Sequence, residues 1–411
     1  MKTRSKISMA MPYCLNKVLK MRKTTMVKKV FHPLQSKHLL VTTIFASFCC
    51  LSASLANAAP AISSITGSIS HGSSITINGT GFGVKSPAAP YLWANFDDGS
   101  SQPSSLGQIR SWTVNNFTPT AGVGVRNTVG MQSYLWNNQE MNFSATMGTT
   151  PSGFAWNNYG QPLYIFRKGK RNWAVTDSMN WKNLRLWYGG GSLYTATGNG
   201  NIAEEGYPNA FWMCAWNSPM SAQCKDGITV EQTRGHSDGR WNTEQYIVRA
   251  QSGAGQTNGY FEYIVNGRRA AVAPYFDYAQ KVFVMAQGTP GEAWFVHDQS
   301  ANDPDPPSGA RTWWDDIYVD RTWARVMLTN QPTWGTSSTG PLYEIQIPTA
   351  WSNTNVTVQI NIGEFSNGAT AYLYVVDANG DANASGFPVT IGGSGEGGLT
   401  APTLTIQSIT Q

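Results

Sequence analysis

The sequence predicts an all-β, antiparallel sandwich protein, and three observations carry that expectation. Charged residues make up only 13% of the 411-residue chain, against 12% for aromatic residues. All 16 Trp fall after residue 58. Gly, Ser, Thr and Asn are abundant in the same region, a mix that suits strands and turns rather than helices. The 353 residues beyond position 58 exceed one ordinary domain, so two domains, or one interrupted by another, are expected.

The first element is a leader. Residues 1–58 hold ten of the 29 Lys and Arg and none of the 24 Asp and Glu; the uncharged segment 39–55 follows, then Ala56-Asn57-Ala58. A basic region, an apolar stretch and a small-x-small site describe a secretory signal peptide over 1–58, with the mature chain starting at Ala59. Met26-Val-Lys-Lys opens a leader of more ordinary length and is an alternative start. The uncharged segment is rich in Ser and Thr and falls short of the roughly 20 predominantly apolar residues that span a bilayer, so no membrane insertion is expected after cleavage. The expected location is secreted, extracellular or periplasmic. Without the leader, 19 basic face 24 acidic side chains, a formal charge of −5, and no basic block remains, which argues against a nucleic-acid partner.

Residues 59–91 come next. Pro60-Ala-Ile-Ser-Ser-Ile, a His71-Gly72 turn, the alternating run Ser74-Ile75-Thr-Ile77, and Asn78-Gly-Thr-Gly-Phe82-Gly83 read as two strands of a hairpin. These residues resemble the first half of an IPT/TIG domain, a small immunoglobulin-like sandwich that needs roughly 80 to 90 residues to close its core. Far downstream, in residues 321–392, Arg325-Val-Met-Leu, Tyr343-Glu-Ile-Gln-Ile, Val356-Thr-Val-Gln-Ile-Asn and Ala371-Tyr-Leu-Tyr-Val-Val each read as strands. Val-Val-Asp377-Ala-Asn-Gly380 and Gly386-Phe-Pro-Val resemble the family's closing strands around an Asn-Gly turn. A sandwich split between the two ends and a truncated first segment beside an independent second sandwich both remain open. Residues 393–411 read as a Gly-rich linker and tail.

Residues 92–320 form a β-rich stretch of jelly-roll size. Trp93-Ala-Asn-Phe-Asp-Asp, Leu163-Tyr-Ile-Phe-Arg, Asn180-Trp-Lys182-Asn-Leu-Arg185-Leu-Trp187, Trp241-Asn-Thr-Glu244-Gln-Tyr-Ile-Val-Arg249, Asn258-Gly-Tyr-Phe-Glu-Tyr-Ile-Val-Asn266-Gly267 and the final strand around Trp314-Asp315-Asp316 follow in order. That order resembles the concanavalin A-like fold of lectins, laminarinases and several polysaccharide lyases, which hosts binders and enzymes alike and so chooses no function.

Such a sandwich buries the face between its sheets and offers its concave outer face to ligand, so strand alternation separates core from site. From Lys182 to Trp187, Leu184 and Leu186 share one face, which leaves Asn183, Arg185 and Trp187 on the other. From Glu244 to Arg249, one face holds Glu244, Tyr246 and Val248 and the other Gln245, Ile247 and Arg249. The guanidinium-bearing faces are expected on the concave side, making Asn183, Arg185, Trp187, Gln245 and Arg249 the ligand-binding set. Sugars present apolar CH faces and a rim of hydroxyls, which flat aromatic rings beside amide, carboxylate and guanidinium groups recognise. The alternative reading of Arg185 and Arg249 is pairing with surface carboxylates such as Glu244 or Glu262.

A glycosidase of the laminarinase type needs two acids a few residues apart on one strand. No strand shows that pair: alternation puts Asp315 and Asp316 on opposite faces, and Glu204-Glu205 falls in a Gly-rich loop. A lyase acting on uronate glycans needs groups that neutralise the carboxylate and others that carry the proton. Arg185, Gln245, Arg249, His236, Tyr246 and Tyr263 are of the right types, although the short strand motifs of alginate lyases are absent. Recognition of an extracellular polysaccharide is therefore the preferred function, β-elimination on a uronate glycan the alternative, and a structural or adhesive surface protein the third.

Cys214 and Cys224 are the two cysteines beyond the leader, and in an exported chain they form a disulfide most simply, worth roughly 2 to 3 kcal/mol and pinning a Trp212-Met-Cys-Ala-Trp216 loop. Metal ligation by the pair lacks His partners. No cofactor is expected. Asn302-Asp303-Pro-Asp305 and Asp377-Ala-Asn379-Gly-Asp381-Ala-Asn383 space oxygen atoms suitably for calcium but read as Asx- and Gly- or Pro-rich turns.

Overall fold

The computed structural model describes residues 58–134, 141–146, 160–173, 181–188, 191–197, 211–217, 220–226, 239–249, 252, 260–273, 292–300, 308–335 and 340–393. The leader, His236, the Asn302–Asp305 segment and the Gly-rich tail lie outside these residues, as do the side chains of Asn183, Arg185, Trp187, Cys214 and Cys224. Among the described residues no helix is long and apolar enough to cross a membrane. The protein is all-β, with every strand pair antiparallel.

The strands assemble into three sheets. The first runs, in spatial order, β1 (Ala61–Thr66), β2 (Ser74–Thr80), β20 (Asn355–Gln359), β19 (Tyr343–Trp351), β18 (Arg325–Thr329), β21 (Thr370–Val376) and β22 (Phe387–Thr390). The second runs β12 (Met220–Asp226), β11 (Phe211–Asn217), β10 (Gly191–Thr197), β9 (Trp181–Tyr188), β16 (Glu292–Ser300), β7 (Met141–Thr146) and β4 (Thr113–Asn115). The third runs β15 (Arg268–Ala273), β14 (Tyr260–Val265), β13 (Asn242–Arg249), β8 (Pro162–Arg171), β17 (Arg311–Asp320), β6 (Val129–Tyr134) and β5 (Phe117–Ala121), with β3 (Leu92–Ala94) pairing off the path with β17.

The first sheet draws on both ends of the chain. β2 lies against β20, with Ile75 opposite Val358 and Ile77 opposite Val356. The β1–β2 connection is a tight turn in which Ser73 N–H donates to Ser70 O at 3.0 Å across His71 and Gly72, and Gly72 takes φ +77°, where glycine meets no steric cost. Ile69 N–H donates to Gly393 O at 3.1 Å and Gly392 N–H to Ile69 O at 2.8 Å, which brings the β1 and β22 edges together. The curled sheet encloses one core of Ile65, Ile75, Ile77, Val326, Leu328, Val356, Val358, Leu373, Val375 and Phe387.

Alternation decides what the opposite face does. On β18, Val326 and Leu328 point into this core while Met327 points out; on β21, Leu373 and Val375 point in while Tyr374 points out. The outward residues, with Tyr343, Ile345 and Ile347, form a second core with Tyr164, Phe166, Ile247 and Tyr318 of the third sheet. The first sheet is thus packed on one face of the third sheet. That corrects the expectation that the Gln245, Ile247 and Arg249 face is an open concave surface. The physical reason is the company that face keeps: β8 puts Tyr164 opposite Ile247 and Phe166 opposite Gln245, and such an aromatic layer is buried rather than left in water.

Two chain crossings connect these bodies. Trp323, in the short link from β17 to β18, donates its indole N–H to Val248 O at 3.0 Å. Lys85, in the link from β2 to β3, reaches Asp320 at 2.6 Å and Tyr318 Oη at 3.0 Å, fully enclosed. Further along the seam, Lys168 Nζ lies 2.5 Å from Glu344 and 2.7 Å from Glu364.

Two more expectations change. The Trp212–Trp216 segment is not a loop but the body of β11, in which Cys214 stands directly opposite Cys224 of β12. β17 carries a bulge between Asp315 and Tyr318, and Asp316 adopts φ +48°, so simple alternation fails there. Asp315 accepts from Val125 N–H at 2.8 Å and Asp316 from Asn361 Nδ2 at 3.0 Å; both are wholly buried. Burial pushes both carboxyls above the usual carboxylate range, helped at Asp315 by the neighbouring Asp316.

Candidate functional site

Gln245, Tyr246, Arg249 and Tyr263, which the sequence groups as lyase residues, do not converge. Tyr246 and Tyr263 stack at 4.6 Å on the inner face of the third sheet, both buried, with Tyr246 donating to Glu244 at 3.0 Å and accepting from Arg167 at 2.9 Å. Arg167 is ion-paired to Glu244 and lies over Trp314, 4.4 Å from the ring centroid. Burial, reinforced by the nearby Glu244, drives the Tyr263 hydroxyl well above its ordinary value, so it keeps its proton. Glu244 is therefore the partner of Arg167 rather than of Arg249. Arg249, exposed at the end of β13, lies over the Trp323 ring at 5.2 Å. Gln245 lines a cavity among the described residues.

That cavity, of about 350 Å³, opens along the seam between the first and third sheets. Gln245, Ile247, Glu262 and Ile264 line it from β13 and β14; Arg325, Trp334 and Tyr343 line it from the other side. The β14–β15 turn closes one end with Asn266 at φ +47° and Gly267 at φ +71°, the left-handed pair that an Asn-Gly hairpin turn requires. A Cβ on Gly267 would meet the Tyr343 ring at 2.1 Å, so glycine is needed there for close approach as well as for conformation.

Each wall is held in place. Trp334 sits in the loop after β18, which Tyr374 secures by donating its hydroxyl to Gln331 O at 3.0 Å and Gly386 by donating its N–H to Pro332 O at 3.1 Å. The indole lies edge-on to Tyr343, centroids 6.3 Å apart, and tilted against Tyr374 at 5.0 Å. It remains half-buried. Gln245 Oε1 accepts the Tyr164 hydroxyl at 2.8 Å, and Glu262 accepts the Tyr260 hydroxyl at 2.6 Å. The Arg325 guanidinium lies over the Tyr164 ring at 4.4 Å and 5.7 Å from the Trp334 centroid. The wall chemistry is thus aromatic rings beside an amide, a carboxylate and a guanidinium.

A second opening of about 310 Å³ lies where the His71–Gly72 turn meets β3, lined by Trp93, Asn95, Gln359 and Asn361 among others. Its His71 is already engaged by Asp97 at 3.5 Å and its Trp93 is 2% exposed, so it lacks an open ring platform.

Among the described residues no cluster of His, Cys, Asp or Glu suits a metal ion. The Asp377 carboxylate accepts the backbone N–H groups of Asn379 at 2.8 Å and Asp381 at 3.0 Å, the hydrogen bonds of an Asx turn.

Sequence reading alone missed Arg325, Trp334 and Tyr343. Their available signals were a guanidinium opening an otherwise apolar strand and a Trp-Gly pair in a turn, but nothing local says which sheet they face.

No family model and no curated protein matches the chain. Among solved structures it is similar to the binding domain of botulinum neurotoxin DC in complex with rat synaptotagmin II, at 9% identity and a TM-score of 0.38 over 71% of this chain and 72% of that one. It is also similar to the binding domain of botulinum neurotoxin serotype C1, at 8% identity, TM-score 0.38, over 71% and 72%. A β-1,3-glucanase from Mycobacterium marinum matches at 13% identity, TM-score 0.33, over 57% of this chain and 99% of that one. Likeness at this level assigns neither ligand nor reaction.

Proposed function

We propose that the protein is an exported polysaccharide-binding protein whose sugar site is the seam cavity, with the first sheet serving as an IPT/TIG-like host for the inserted concanavalin A-like segment. The observation that carries this reading is the Trp334 ring, with Arg325 beside it, standing across one cavity from Gln245 and Glu262. A pyranose offers an apolar face and an equatorial rim of hydroxyls. The indole covers the first, and the amide and carboxylate bond the second. A volume of about 350 Å³ accommodates one or two sugar rings and leaves the rest of a chain outside. The export leader and the mildly acidic remainder of the chain fit a partner met outside the cytoplasm.

Affinity electrophoresis of the mature protein through gels containing neutral and acidic polysaccharides tests the reading. Retardation by at least one glycan is expected, with loss in Trp334→Ala and unchanged circular dichroism. Migration unaffected by every glycan would refute it. An absorbance rise from unsaturated sugar products in the same mixtures would instead assign β-elimination.

A further inference from the structure

Arg325 opens β18 and is 2% exposed, yet no carboxylate among the described residues pairs with it. Three of the other four enclosed cations have carboxylate partners among the described residues. Arg167 has Glu244, Lys85 has Asp320, and Lys168 has both Glu344 and Glu364. One Arg325 nitrogen donates to Trp323 O at 2.8 Å, and the plane is sandwiched near Tyr164 and Trp334, but Nε–H is buried without an acceptor among the described residues. A guanidinium withdrawn from water with an idle donor and no counter-charge is costly unless something supplies both.

Gln245 presents a second idle donor to the same space. Because its Oε1 accepts the Tyr164 hydroxyl, its NH2 group is the end left for a ligand, and no described residue accepts from it. A guanidinium without a counter-charge and an amide that line one cavity together are the complement of a carboxylate. Resting on the sugar-site reading above, we infer that the ligand is an acidic sugar whose carboxylate binds the Arg325 guanidinium and Gln245 Nε2–H while its ring lies on Trp334. The same carboxylate chemistry is carried by uronic acids within a polysaccharide and by sialic acids at glycan ends.

The mature protein is titrated calorimetrically with polygalacturonate, its fully methyl-esterified form, sialyllactose and lactose. An acidic ligand is expected to bind roughly ten- to a hundredfold tighter than its neutral counterpart, the range of a charge-assisted hydrogen bond. Preference for polygalacturonate identifies a uronate chain, and preference for sialyllactose identifies a terminal sialate. Arg325→Gln is expected to abolish the acidic-to-neutral ratio. Should that variant fail to fold, the ratio in the unaltered protein and its decline with added salt decide the matter alone. Equal affinity for charged and neutral forms, lost in Trp334→Ala, would overturn the acidic-sugar inference and leave the sugar site standing. No binding to any of the four would overturn both.

Discussion

Replacing Glu344 by Gln separates the electrostatics of the seam from its packing. Glu344 is completely buried, and burial, with repulsion from Glu364 and Asp316, pushes its carboxyl up to about 7 from an ordinary 4.5 despite Lys168 at 2.5 Å. Lys168 itself is held charged: burial opposes its charge, but Glu344 and Glu364 together outweigh that, so it contributes no slope near neutrality. Between pH 4.5 and 7 the folded protein binds the Glu344 proton more tightly than the unfolded chain does. Stability from this group is therefore present in mild acid and declines as pH rises through 7. At about 1.4 kcal/mol for each pH unit between the two values, ionising Glu344 in the fold costs on the order of 3 kcal/mol. Glutamine keeps the shape and the Oε1 acceptor and has nothing to ionise. Urea unfolding followed by Trp fluorescence at several pH values should show the variant gaining on the unsubstituted protein by about 3 kcal/mol from pH 4.5 to 8. A difference that stays constant across pH would refute the reasoning.

Other expected outcomes are narrower. Ile77→Ala, in a strand near the start of the chain, should destabilise the core shared with Val356 and Val358 by about 2 to 5 kcal/mol, read as a lower urea midpoint with unchanged slope. Gly267→Ala should lose about 2 to 4 kcal/mol from its left-handed backbone and from the clash with Tyr343, and should weaken glycan retention more than Ile77→Ala does. The register of β11 against β12 sets Cys214 and Cys224 face to face, so mass spectrometry of protein purified without reductant should find them joined and two hydrogens lighter; free thiols in that preparation would contradict this.

Much of the strand content was legible because strand alternation is a local signal. Ile75 and Ile77, or Val356 and Val358, mark one buried face wherever their partners lie, and β2, β13, β18 and β21 fall where alternation places them. Partnership is not local. Nothing in Ser74–Thr80 specifies Asn355–Gln359 as its neighbour, and the stacking of the first sheet on the third follows from the summed aromatic surface of Tyr164, Phe166, Tyr343 and Tyr374, which lie on three different strands. The site shares that fate. Gln245 was identifiable from its strand face, but Arg325 and Trp334 reach the cavity only through the packing of one sheet on another. Tyr246 and Tyr263 misled because a phenol suited to proton transfer and a phenol buried beside an ion pair look alike in a sequence.

The clasp between Lys85 and Asp320 sets the exit of the chain from its host sheet beside its return. A long insertion that leaves and re-enters at one point imposes almost no closure constraint on the strands around it. The host could therefore exchange its guest: a short linker across that point would leave the seven-strand sheet continuous, and another domain with neighbouring termini could be carried in its place. The apolar layer of Tyr343, Ile345 and Tyr374 would then be the surface a new guest has to match.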